Sequence, residues 1–111
     1  MRTFSLAPYS MKLVLLLTRE EAARAASKSD LGTYPPESAG TCWRAGNTVY
    51  VAVHDGDLAT LVHELGHAAV RVMSYIGHTV EPGTDEPFCY LLDSMYSRCA
   101  PHISPASAPS P

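Results

Sequence analysis

Leu58-Ala59-Thr60-Leu61-Val62-His63-Glu64-Leu65-Gly66-His67-Ala68-Ala69-Val70-Arg71-Val72-Met73-Ser74-Tyr75-Ile76 is the stretch on which the reading of this chain turns. Its apolar residues recur at helical spacing, with Leu58, Leu61, Val62, Leu65, Ala69 and Val72 flanking two histidines. Asp57 stands where an N-cap belongs, and Gly77 where a helix ends in a left-handed residue. The pattern predicts one helix, apolar over much of its circumference and therefore buried, whose histidines need polar partners. Residues four apart project from one helix face, so His63 and His67 offer two imidazoles to a single ion. Glu64 lies about 100° round the helix from His63, within reach of a water beside that ion. Two neutral imidazoles and an open position suit Zn²⁺, which brings the pKa of a bound water toward ~7. The HExxH segment reads as a hydrolytic zinc site; the competing reading is a pair of hydrogen-bonded core histidines.

Working outward, Asp55-Gly56-Asp57 turns the chain into this helix from a hairpin. Thr41–Arg44 and Thr48–His54 are strand-like, joined through Ala45-Gly46-Asn47, where two residues tolerate positive φ. In the second strand Val49, Val51 and Val53 form an apolar face, and Tyr50, Ala52 and His54 a mixed one. Farther upstream, Lys12–Leu17 is a short apolar run of strand length. Its apolar core is too short for a secretory leader and is followed by Arg19-Glu20-Glu21, so export is not expected. Thr18 and Glu21 form a capping box that opens an alanine-rich helix to about Ser27 or Lys28. Asp30–Gly40, with Pro35-Pro36, is a loop. Downstream of Gly77, Asp85-Glu86-Pro87 opens a second helix that runs to about Arg98, with Asp85 as its N-cap. The tail after Pro101 is almost all Pro, Ala and Ser and is expected to be disordered. The expected organisation is an N-terminal extension over residues 1–10, one α+β domain over 11–100 and a tail over 101–111, with element order β-α-β-β-α-α.

The chain has 111 residues, which allows one modest core. Its net charge of −3 and eight scattered Lys and Arg give no electrostatic footprint for nucleic acid. No apolar run is long enough for a membrane span. Cys42, Cys89 and Cys99 cannot all pair within the chain and match no CxxC signature; they read as free thiols of a reducing cytoplasm. Cys89 keeps a secondary claim as a metal ligand.

A catalytic zinc takes three protein ligands and a water. The continuation HExxHxxGxxH is excluded, because Val70 and Met73 stand where it needs Gly and His. His78, Glu81, Asp85, Glu86 and Asp93 remain, and Glu86 is favoured because a helix returning across the first would aim it at the ion. Tyr90 and Asp93 follow at helical spacing, as candidates to help at an oxyanion and to accept from a ligand histidine.

Thr60–Ala68 together with Asp85–Leu92 resembles the small HExxH zinc metallopeptidases of the gluzincin type, and looks most like very short peptidases encoded by tailed phages and prophages. Glu86 follows His67 by nineteen residues, near the interval at which gluzincins place their third ligand. The resemblance implies a small zincin-like domain in which a short sheet with a hairpin packs on the HExxH helix, and a following helix bears the third ligand. It implies Zn²⁺ held by His63, His67 and Glu86, Glu64 as general base, and Tyr90 as a catalytic helper. It also implies a peptide or protein substrate laid along the strand before the helix, at Tyr50, Ala52 and His54. The position four residues after the third ligand, an acid in gluzincins, is Tyr90 here, and the second helical domain of larger gluzincins has no counterpart. The alternative is therefore a metallopeptidase-like binding or assembly protein with a phage or host partner, in the host cytoplasm or associated with the virion.

Overall fold

A computed structural model of the chain describes residues 1–29 and 38–103. It is an α+β fold with strands β1 (Arg2–Ser5), β2 (Lys12–Leu16), β3 (Gly40–Ala45) and β4 (Thr48–Val53), and helices α1 (Arg19–Ser27), α2 (Leu58–Ile76) and α3 (Glu86–Cys99). A 3-10 turn, Ala100–His102, follows α3. Asp30 to Glu37 of the expected loop, and the tail from Ser104, lie outside the described residues.

The four strands form one mixed sheet in the order β1-β2-β4-β3. β2 and β4 run parallel, whereas β1 pairs with β2 and β3 with β4 in antiparallel fashion. Residues 1–10 are thus no mere extension, since they supply an edge strand and the buried Leu6. The two faces of β2 explain its unbroken apolar run. Leu13 and Leu15 join the core beneath α2 and α3, while Val14 and Leu16 meet Ala22 and Ala26 of α1 on the other face. A strand covered on both sides has no polar alternation to show.

The local signals act as expected at the start of α1 and at both ends of α2. Thr18 Oγ1 accepts from the Glu21 N–H, and the Glu21 carboxylate accepts from the Thr18 N–H, closing the capping box. At the start of α2, Asp57 Oδ1 accepts from the Ala59 N–H at 2.8 Å. At its end Gly77 takes φ 79° and the His78 N–H reaches the Met73 carbonyl at 2.9 Å. Asp85 precedes α3 but makes no side-chain cap bond, being itself in the right-handed helical region, so the expected N-cap is not formed there. In the hairpin only Gly46 adopts positive φ, which fits a turn with glycine at its first central position.

α2 turns Leu61, Leu65, Ala68, Val72 and Met73 inward, and α3 adds Leu91, Met95 and Cys99 to the same core. Burial of each such Leu or Met side chain is worth roughly 1.5–3 kcal/mol. The helix that carries the histidines is therefore held by its far side. Gly77 has open space around a notional Cβ, so only its backbone conformation is at stake. Gly77→Ala is expected to destabilise the fold by roughly 1–2 kcal/mol, the cost of the left-handed region for an L-residue. Chemical denaturation measures this, and an unchanged midpoint would show that the left-handed stop is not needed.

Candidate metal centre

α2 brings His63 and His67 together on its solvent side. Both rings are exposed, which corrects the expectation of buried histidines: the apolar residues around them belong to faces that meet the sheet and α3. The two Nε2 atoms stand 3.2 Å apart, with ring centroids 4.8 Å apart and planes at 79°. This separation serves a hydrogen bond between neutral rings. It also lies close to the edge of a tetrahedral zinc site, where bonds of about 2.0–2.1 Å put two ligand nitrogens ~3.3 Å apart. Two imidazoles with converging nitrogens, exposed and open on one side, fit a divalent ion of that kind.

Glu64 differs from its neighbours. Only 7% of it is exposed, because its stem lies under the start of β3. A Cβ added to Gly40 would stand 2.7 Å from the Ala52 carbonyl oxygen, 2.8 Å from Thr60 Cγ2 and 3.2 Å from Glu64 Cγ. Thr60 is itself tied down, its hydroxyl donating to Asp55 Oδ2 at 2.7 Å. The absent side chain of Gly40 thus lets β3 close over Thr60 and Glu64. Burial pushes the Glu64 carboxyl above its ordinary pKa, against the opposing pull of His63, His67 and Arg71. Arg71, two turns along α2, also lies close enough to the Cys42 thiol for its charge to oppose the burial that pushes that thiol up to about 12. Gly40 and Arg71 escaped sequence reasoning; a glycine opening a strand is the one available hint of close backbone approach.

The other expected residues are scattered. Among the described residues, no group of three or more His, Cys, Asp or Glu is placed to hold one metal ion, so Glu86 does not stand with His63 and His67 in such a group. Glu86 is exposed in the first turn of α3. Asp93 and Cys89 line a groove against Val62, Leu92 and Tyr96. Tyr90 is 69% exposed and lines another groove, against Leu6, Pro8 and Tyr9, so it does not share the setting of Asp93. His78 Nε2 lies 2.7 Å from the Thr84 carbonyl oxygen, a loop-closing contact. All three cysteines are free thiols.

The expected substrate strand is also displaced. β4 is paired along its length on both sides, so its backbone has no free edge for an extended peptide. Tyr50 and Ala52 face α1: Tyr50 stacks on Trp43 with centroids 4.9 Å apart, and Ala52 is buried in the same cluster. His54 is half-buried, and that burial, before the nearby Arg19, lowers its pKa. Of the two edge strands, β1 and β3, it is β3 that borders Glu64. Among the described residues no helix is long and apolar enough to cross a membrane.

No protein-family model, curated protein or solved structure matches the chain.

Gly40→Ala tests how tightly β3 seals Glu64. One of the clashing atoms is a backbone carbonyl, so the change is expected to cost about 1–3 kcal/mol, as overpacking does. Thermal unfolding reads the loss; a variant as stable as the parent would mean that β3 does not close over Glu64.

Proposed function

We propose that the chain is a minimal zincin-like zinc-dependent peptidase, with His63 and His67 as metal ligands and Glu64 as general base. One observation carries the reading: two converging Nε2 atoms 3.2 Å apart on the exposed face of α2, beside a carboxylate that the sheet holds under cover. A zinc ion held there would supply Lewis acidity to a scissile carbonyl and to a water. Glu64 takes the proton from the attacking water and passes it to the leaving amine. Its buried stem keeps the carboxyl in one place during both transfers, and its raised affinity for a proton suits a group that must carry one briefly. The imidazoles need their Nε2 lone pairs free, so both rings act as neutral ligands.

This reading takes its protein ligands from His63 and His67 alone; Glu86, in the first turn of the helix that packs beside α2, is not grouped with them and is given no role at the metal. The substrate backbone is offered β3 rather than β4, since β4 is interior to the sheet and β3 is the edge strand that borders Glu64.

Glu64→Gln should retain about one zinc per chain and lose at least ~100-fold in peptide cleavage, the range expected for removal of a general base. Metal analysis and a peptide-library digest measure the two quantities. Cleavage at the parent rate would exclude Glu64 as the base, and absence of zinc from the parent after metal loading would exclude the site altogether.

A further inference from the structure

We infer that the seam between α2 and the outer edge of β3 receives an acidic peptide, with Arg71 as the specificity-determining residue. This inference rests on reading His63, Glu64 and His67 as the hydrolytic centre, and it adds the chemical class of the substrate.

Three rungs build the seam. Gly40 lies against Thr60 and Glu64, the Cys42 thiol lies within the electrostatic reach of Arg71, and the Arg44 guanidinium sits 4.6 Å above the Tyr75 ring. β3 thus runs beside α2 in the same sense, from the Glu64 end to the Tyr75 end. The His54 N–H donates to the Ala39 carbonyl, so in the β3–β4 register residues 39, 41, 43 and 45 exchange bonds with β4. The backbone groups of Cys42 and Arg44 consequently point to the outer edge, where a peptide can add as a further strand.

Main-chain pairing along an edge is indifferent to sequence, so any preference must come from side chains beside it. Those beside this edge are cationic at one end. The only ion pair among the described residues joins the Met1 amine to Glu21, leaving Arg71 and Arg44 with no carboxylate among those residues at ion-pair distance. Two guanidinium groups in one seam are conspicuous in a chain of net charge −3. Seven helical residues separate Arg71 from Glu64, about 10 Å, which is the length of three residues of extended peptide. A carboxylate three positions from the bond presented to Glu64 therefore meets Arg71, whose planar fork binds it through paired charge-assisted hydrogen bonds. A lysine at that position meets a like charge.

Fluorescein-labelled decapeptides of Ala and Ser, carrying one Glu, Lys or Gln at each position in turn, test this by anisotropy against the full chain bearing Glu64→Gln. The best Glu peptide is expected to bind about tenfold more tightly than its Lys counterpart, with the difference shrinking as salt rises. Adding Arg71→Glu should reverse the order and Arg71→Gln should level it; Arg71 is exposed, so both variants should keep the parent's circular dichroism. Equal binding of the Glu and Lys peptides, an order that survives Arg71→Glu, or no binding of any peptide would each overturn the inference. Cleavage by the parent separates the two readings. Selective binding of Glu peptides that are never cut would support the acidic seam and count against the hydrolytic centre. Cleavage indifferent to charge would uphold the centre and remove the role of Arg71.

Discussion

The burial of one side of α2 against the sheet governs everything else in this molecule. Leu61, Leu65, Ala68 and Val72 point inward, so residues 63 and 67, roughly half a turn away, must point out. Glu64 falls between the two directions and is caught beneath β3, where Gly40 leaves room for its stem. A single helical phase therefore produces two exposed imidazoles and a sheltered carboxylate from three residues in a run of five. Rotating the helix by one residue in the direction that turns Thr60 inward would drive Glu64, His67 and Arg71 into the core, at a cost the apolar contacts would not repay.

The local devices of this fold were legible before any coordinates. The capping box at Thr18 and Glu21, the Asp57 cap and the Gly77 stop depend on residues within a few positions of each other, and they form as read. Long-range pairing was not legible. Arg2–Ser5 is four residues with no strong alternation, and it becomes a strand only because the antiparallel edge of β2 is open to it. In the same way β4 slots between β2 and β3, a placement that no hairpin signal reveals.

The candidate site divides along the same line. Helical spacing alone sufficed to put His63 and His67 together and Glu64 beside them. It did not say which face of β4 meets α2, and Tyr50 and Ala52 turned out to face α1. Nor could spacing orient α3, whose Tyr90 and Asp93 border separate grooves although they are three residues apart. The seam of Arg71, Cys42 and Arg44 joins a helix to an edge strand far away in sequence, so its charge pattern emerges only from the packed structure.

The proposed centre is thus one wall of a cleft: an exposed histidine pair, a buried base and an open strand edge, all carried by α2 and β3. X-ray absorption at the zinc edge of the metal-loaded protein probes its central claim most directly. The account predicts a four-coordinate zinc with imidazole scattering from two histidines at about 2.0–2.1 Å. A spectrum dominated by sulfur at about 2.3 Å, or one unchanged when both His63 and His67 are replaced by Ala, would contradict it.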